Sequence, residues 1–271
     1  MDGTAVDGQR FAFGKNWHDF VEKQFSPERV STSKRHLLDF LGVADLKGKT
    51  FLDIGCGSGL HSLAAWESGA NKIISFDYDP DSVQSTKLLR EHAGAPANWV
   101  LSEGSVLDVD FMAGIEQADI VYSWGVLHHT GDVWRAIENA ATRVKPGGRF
   151  YIALYSADVH VDPPPEFWLD LKLRYNASSV LGKRMIELWY IWRYNLRRRI
   201  WNLPKLVRQI RTYNADRGMS FYTDVKDWVG GWPMQFCQDA EVTERVEAMG
   251  FRQTRIDTGK ANTEFLFVRT A

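Results

Sequence analysis

Cysteine is almost absent. The chain has two in 271 residues, Cys56 and Cys237, with no Cys-x-x-Cys pair. A disulfide framework or a thiolate zinc site is therefore not expected, and a reducing compartment is. An excess of charge of either sign is missing too. Thirty-three Lys and Arg stand against 34 Asp and Glu, a formal net of −1. That balance argues against a protein that coats nucleic acid over its whole surface. No uncharged apolar run approaches the ~18 residues of a membrane-spanning helix, and the opening MDGTAVDGQR holds no apolar stretch of the signal-peptide kind. The expectation is a cytoplasmic protein with no transmembrane segment. The seven histidines show neither H-x-x-x-H nor H-E-x-x-H spacing, so no metal site is expected. There are no internal repeats.

What remains is ordinary globular material, 44% apolar and 25% charged, enough to bury a sizeable core. From residue 46 to 156 short apolar runs alternate with amphipathic stretches. Lys49–Ile54, Lys72–Asp77, Trp99–Glu103, Ile120–Ser123 and Arg149–Leu154 read as strands. Leu60–Ser68, Pro80–His92 and Val133–Val144 read as helices between them. The alternation predicts βαβ units, a mainly parallel sheet and right-handed crossovers. At the far end Asp239–Met249 reads as a helix closed by Gly250, followed by a hairpin of Phe251–Asp257 and Glu264–Arg269. Residues 157 to 235 break the rhythm. They hold 13 Lys and Arg against 8 Asp and Glu, and six of the 11 tryptophans. The expected organisation is an N-terminal helical flap (1–45), a ligand-binding core (46–156), a helical cap inserted after the fifth strand (157–235), and a helix and hairpin completing the core (236–271).

The strongest local signal is FLDIGCGSG at 51–59. A strand ends at Asp53, and Gly55, Gly57 and Gly59 make a tight turn into a helix whose N-terminus offers free amides. The dinucleotide fingerprint requires glycine three positions after Gly57, and Leu60 stands there. A carboxylate at Asp53 repels a pyrophosphate and favours a cationic group. The ligand should thus carry an ammonium as well as a nucleoside. Asp77 ends the second strand 24 residues later, near the offset at which a carboxylate meets a ribose hydroxyl.

Five stretches together, LDIGCGSG, FDYDP, EGSVLD, DIVYSWGVLHH and VKPGGRFYIAL, resemble the class I S-adenosylmethionine-dependent methyltransferases. The resemblance covers residues 46 to 156 and the C-terminal hairpin. It implies an α/β fold, a Rossmann-like seven-stranded, mainly parallel sheet whose last strand is antiparallel, with S-adenosyl-L-methionine as cofactor. It implies contacts from Asp53, Gly55 and Gly57 to the methionine end, with Cys56 and Gly59 in the same loop. Asp77, with Tyr78 beside it, is placed at the ribose, Ser105 and Val106 near adenine, and Ser123 and Trp124 at the cleft end of the fourth strand. Ser105 stands where many relatives carry aspartate, so the adenine contact there is expected from the backbone.

His128 and His129 follow the fourth strand at the edge where α/β proteins bind ligands. Imidazole suits a general base near neutrality; the competing reading is that both rings orient the loop. Trp17, within FAFGKNWHDF, belongs to a helix that either covers the core or closes over the ligand. His160 opens the insertion. Asp224, Asp227, Trp228 and Trp232 lie in DVKDWVGGWP, similar to a stretch found in the substrate cap of glycan and natural-product methyltransferases. These six residues are the candidate substrate contacts.

The segment WYIWRYNLRRRIWN at 189–202 completes the reading. Met185, Trp189, Trp192, Leu196 and Ile200 recur at helical spacing, predicting a lid helix with its tryptophans against the core and its arginines at the rim. An interfacial membrane helix or a nucleic-acid arm would look similar. The resulting expectation is methyl transfer to an oxygen or nitrogen of a small-molecule or glycan-like acceptor, an anionic one if Arg197, Arg198 and Arg199 face it. Nucleic acid is disfavoured, because SWGV occupies the place of the N/D-P-P-Y/F tetrapeptide of amino-directed nucleic-acid enzymes. RNA methylation by the basic insertion, or cofactor binding without catalysis, are the alternatives.

Overall fold

The computed structural model describes residues 11, 14, 25–196, 200–208, 210, 221–259 and 261–270. Seven strands form one sheet in the order β3-β2-β1-β4-β5-β7-β6. They are β1 (Thr50–Ile54), β2 (Lys72–Asp77), β3 (Trp99–Glu103), β4 (Ala118–Trp124), β5 (Val144–Tyr155), β6 (Phe251–Thr258) and β7 (Asn262–Arg269). Pairing is parallel from β3 through β5, and β7 runs antiparallel to both neighbours. This is the expected seven-stranded, mainly parallel sheet with its antiparallel last strand.

Burial on both faces explains the near-continuous apolar strands. In β1, Phe51 joins the cluster beneath helices α1 (Pro27–Leu41), α2 (Leu60–Glu67) and α3 (Pro80–His92). Leu52 joins the opposite cluster, beneath α4 (Val109–Gly114), α5 (Val133–Ala141) and a later helix, Asp239–Ala248. Helix α1 buries Val30, Leu37, Phe40 and Leu41, so this part of the expected flap is a fixed layer of the core. Strand β5 begins at Val144 rather than Arg149, because Val144 already pairs with Ala118, ahead of a register shift after which Arg149 pairs with Ile120.

The insertion is helical: α6 (Pro165–Ala177), α7 (Val180–Tyr190) running into a π turn at Ile191–Asn195, and α8 (Phe221–Gly230), followed by α9 (Asp239–Ala248) of the core. Leu206, Phe221 and Val225 form a small core of its own with Tyr190, Ile191 and Leu196. Its root is narrow. Ser156 bridges Cys237 in parallel register, and the Ala157 amide donates to the Cys237 carbonyl at 2.8 Å.

One expectation about the lid helix is corrected. Met185 and Trp192 are exposed, Trp189 lies at the edge with its ring 6.1 Å from that of Phe167 on α6, and α7 buries no residue fully. The inward face lies on the other side of the helix and carries Lys183, Ile186, Glu187 and Tyr190. It is set by Tyr175, whose hydroxyl donates to Glu187 at 2.7 Å and whose ring lies 5.4 Å from the Lys183 ammonium, and by Trp168 against the Tyr190 ring. Arg197, Arg198 and Arg199 lie outside the described residues.

Candidate cofactor cleft and cap seam

The glycine loop closes over the ends of β1 and β2. Gly55 has φ +72°, and a Cβ there would lie 2.3 Å from Val126 Cγ1, so both the backbone and the space demand glycine. The Gly55 and Cys56 amides both donate to the Phe76 carbonyl, at 2.9 and 3.1 Å. The Gly57 amide donates to Asp77 Oδ2 at 2.9 Å, and the Asp79 amide to Asp77 Oδ1 at 2.9 Å. Asp77 is thereby fixed at the mouth of the loop. Cys56 is packed rather than presented: Thr86 Oγ1 approaches its sulfur at 3.2 Å, and burial pushes the thiol well up.

Asp53 is buried. Ser62 Oγ donates to it at 2.5 Å and also lies 2.7 Å from Ser75 Oγ, which accepts from Trp99 Nε1 at 3.1 Å. Burial pushes the Asp53 carboxyl up to about 7; the Ser62 hydrogen bond opposes this and the charge of Asp77 adds to it. Among the described residues no lysine or arginine pairs with Asp53. A buried carboxylate with an acidic neighbour and no cation is a site for a cationic ligand group. The donor set therefore fits S-adenosylmethionine, which carries both an ammonium and a sulfonium.

The other expected cleft residues divide. Tyr78 and Trp124 are exposed at the rim. Ser105 is half-buried, its hydroxyl accepting from the Leu107 amide at 3.2 Å, and Val106 is buried with its carbonyl held by Asn139 at 2.8 Å. The Ser123 hydroxyl turns into the core and donates to the Ile54 carbonyl at 3.0 Å, leaving only its backbone for a ligand.

His128 and His129 lie where the β4–α5 loop meets the chain returning from the cap. The Gln235 amide donates to the His128 carbonyl at 2.9 Å, and Gln235 Oε1 accepts from the Val133 amide at 2.8 Å. His129 Nδ1 lies 2.7 Å from the Pro233 carbonyl oxygen. A carbonyl only accepts, so Nδ1 carries the proton and Nε2 is the basic nitrogen of the neutral ring. His128 is the reverse. The Tyr155 amide points at its Nδ1 at 3.4 Å, and burial, reinforced by His129 and Lys172, holds its pKa well below the usual value. The neutral ring then bears its hydrogen on Nε2, a buried atom with no partner among the described residues.

The candidate substrate residues converge in part. His160 stacks on Trp228, with ring centroids 5.4 Å apart, and its Nδ1 bonds the Ser156 carbonyl at 2.8 Å. Trp228 meets Tyr155 edge-on at 5.4 Å, and its indole Nε1 is a second buried donor without a partner among the described residues. Asp224 and Asp227 are half-buried on α8, and the Trp232 carbonyl accepts from the Phe11 amide at 2.9 Å. Trp17 lies outside the described residues.

Sequence reasoning did not single out Lys172. It is 1% exposed, donates to the Trp228 carbonyl and sits 4.8 Å from that indole centroid. Burial lowers its pKa to about 7, with Asp227 opposing. Its helix reads as amphipathic and polar, LDLKLRY, with nothing to mark one lysine as interior. Tyr155 and Phe236, whose rings flank His160, were also not singled out.

The sheet order, the reversed seventh strand and this glycine loop with its two carboxylates define the class I S-adenosylmethionine-dependent methyltransferases. A family model described as "Methyltransferase domain" matches residues 27–254, and the chain belongs to that family. A ubiquinone biosynthesis O-methyltransferase of Methylobacterium sp. is 30% identical over 165 residues, 56% of this chain and 64% of that protein. A ribosomal protein L11 methyltransferase of Photobacterium profundum is 34% identical over 116 residues, 43% of this chain and 37% of that protein. The match thus spans about a third to two-thirds of these relatives' length. Among solved structures, magnesium protoporphyrin IX methyltransferase of Synechocystis with bound S-adenosylmethionine superposes with a TM-score of 0.56 at 13% identity, covering 100% of this chain and 98% of that one. An O-methyltransferase family protein of Burkholderia thailandensis gives 0.56 at 14% identity, covering 96% of this chain and 59% of that one. At such identities the likeness concerns the fold.

Proposed function

We propose that the protein transfers a methyl group from S-adenosylmethionine to an oxygen of a small-molecule acceptor held at the seam between cap and sheet. The observation that carries the reading is the glycine loop flanked by loop-bonded Asp77 and by buried Asp53, which pairs with no lysine or arginine among the described residues. When bound, the cofactor supplies an electrophilic methyl group on a sulfonium. Asp53 and the loop would hold its amino-acid end, Asp77 its ribose, and Ser105 and Val106 its adenine. His129 Nε2, made basic by the bond at Nδ1, would take the proton from the acceptor hydroxyl. Tyr155, Trp228 and Phe236 would exclude water, and orientation supplies most of the remaining acceleration.

The seam also bears on the acceptor. His128 Nε2 and Trp228 Nε1 are buried donors with no acceptor among the described residues, and the Lys172 amine donates to the Trp228 carbonyl. A carbonyl or carboxylate oxygen on the acceptor satisfies them. Two free, buried thiols suit a reducing, cytoplasmic setting.

The test has two stages. S-adenosylhomocysteine should raise the melting temperature; stabilisation by NAD(P) instead would overturn the class of chemistry. Radiolabelled methyl transfer to hydroxybenzoates and to the matching phenols should then favour the carboxylated member of each pair. Equal rates would remove the carboxylate from the proposal, and transfer only to a protein or RNA acceptor would remove the small molecule.

A further inference from the structure

The cap turns an apolar stripe outward. On α7, Leu181, Met185 and Leu188 are spaced four and three residues apart, which places them on one face. They are 73%, 61% and 62% exposed. In the π turn that follows, Trp192 is 44% exposed, and Trp201 further along is 74% exposed. The opposite face of α7 packs against α6 through Glu187 and Tyr190. The helix is therefore amphipathic with its apolar side toward solvent, the reverse of a core helix. An exposed apolar patch of this extent marks an interaction surface.

Charge identifies the occupant. Residues 180–208 contain eight Lys and Arg against a single acid, Glu187, and the Tyr175 hydroxyl bonds that acid. Elsewhere the chain is acidic, since the total is −1. Arg184 lies beside the stripe, and Arg193 lies over the Tyr194 ring at 5.0 Å in the π turn. Exposed apolar residues with tryptophan, in a segment whose described basic residues Arg184, Lys205 and Arg208 are exposed and which holds a single carboxylate, match a plane of hydrocarbon beneath anionic headgroups. A protein partner would need an acidic surface with an apolar centre, for which nothing on this chain gives a reason. A second copy would bring two strongly basic rims together.

We propose that the outward face of α7 and the π turn at Ile191–Asn195 seat the protein on an anionic lipid surface. The apolar stripe enters the interface and the basic residues meet the headgroups. The seat itself does not depend on the identity of the acceptor or on the chemistry at the seam.

The experiment is vesicle flotation with full-length protein, using phosphatidylcholine alone and phosphatidylcholine with phosphatidylglycerol, at low and high salt. Expected are binding at least tenfold tighter to the anionic vesicles, loss of most of that binding at high salt, and a blue shift of tryptophan emission. The double variant Leu181→Glu, Leu188→Glu should bind at least tenfold more weakly while melting at the same temperature and keeping its stabilisation by S-adenosylhomocysteine. Both positions are exposed, so folding is not at stake, and the retained cofactor response separates this test from that of the proposed function. No binding to anionic vesicles, or undiminished binding by the variant, overturns the proposal. So does a sedimentation-velocity dimer of the wild type that the variant dissociates without any vesicle binding.

Discussion

The Gly57 amide donates to Asp77 Oδ2 at 2.9 Å, joining the glycine loop to the end of the neighbouring strand. The other oxygen of the same carboxylate accepts from the Asp79 amide at 2.9 Å. Asp77 is thus oriented before any ligand arrives, tied to the glycine loop by the side chain proposed to meet the ribose.

Asp77→Ala should weaken S-adenosylhomocysteine binding and leave the fold intact. Loss of a charge-assisted hydrogen bond costs about 1.5–3 kcal/mol, or roughly ten- to over a hundredfold in affinity. Isothermal calorimetry checks this; a Kd within twofold of the wild type would place the ribose elsewhere.

Cofactor affinity should depend on pH through Asp53. Its carboxyl is raised from 3.8 to about 7 in the folded protein. In the empty protein this favours the neutral form, so its contribution to stability declines as pH rises from 3.8 toward and through about 7. A cationic ligand favours the ionised form. Binding should therefore release a proton below pH 7, and affinity should fall as the pH is lowered. Calorimetry at pH 6 in two buffers of different ionisation heat reads the proton directly. Equal heats in both buffers would mean that Asp53 does not face the ammonium.

Gly55→Ala should destabilise the protein and impair cofactor binding together. The position combines φ +72° with a Cβ contact of 2.3 Å to Val126. Backbone strain of about 1–3 kcal/mol corresponds to a fall of roughly 2–5 °C in Tm for a chain of this size. Adding Val126→Gly should recover only part of the loss, since it removes the clash and leaves the backbone strained. Complete recovery would make packing the sole constraint.

His129→Gln should lower kcat by about a hundredfold or more while leaving S-adenosylhomocysteine affinity unchanged, the range expected for a general base. The bond to Pro233 gives the ring a structural role too, so the deciding readout is the pH–rate profile. If His129 is the base, the limb attributable to an imidazole disappears in the variant. If the rate falls and the limb persists, the ring only orients the loop.

The sheet could be read from the sequence because its signals are local. β3 and α3 match their expected bounds, Trp99–Glu103 and Pro80–His92, residue for residue. Both are short runs with clear terminators. The glycine loop was readable for the same reason: positive φ demands glycine wherever it occurs. What failed depends on the surroundings of an element. Periodicity found an apolar stripe on α7, but periodicity carries no information about which side the rest of the protein lies on, and Glu187 and Tyr190 decided the orientation. Lys172 was invisible for a related reason. Its burial follows from the Trp228 carbonyl 56 residues away. The tautomers of His128 and His129 follow from partners in other segments, Tyr155 and Pro233.

The narrow root of the cap has an evolutionary consequence. The chain leaves the sheet at Ser156–Ala157 and returns at Cys237, with the two crossings bonded to each other. Because the ends are already adjacent, the entropy of closing the segment depends only weakly on its length; doubling it costs about 0.6 kcal/mol. Such a neck lets whole cassettes be lengthened, shortened or exchanged without disturbing the register of β5 with β7. With the acceptor held at the cap as proposed, preference can diversify over an unchanged cofactor engine, and descendants of one ancestral core can diverge in what they modify while conserving how they do it.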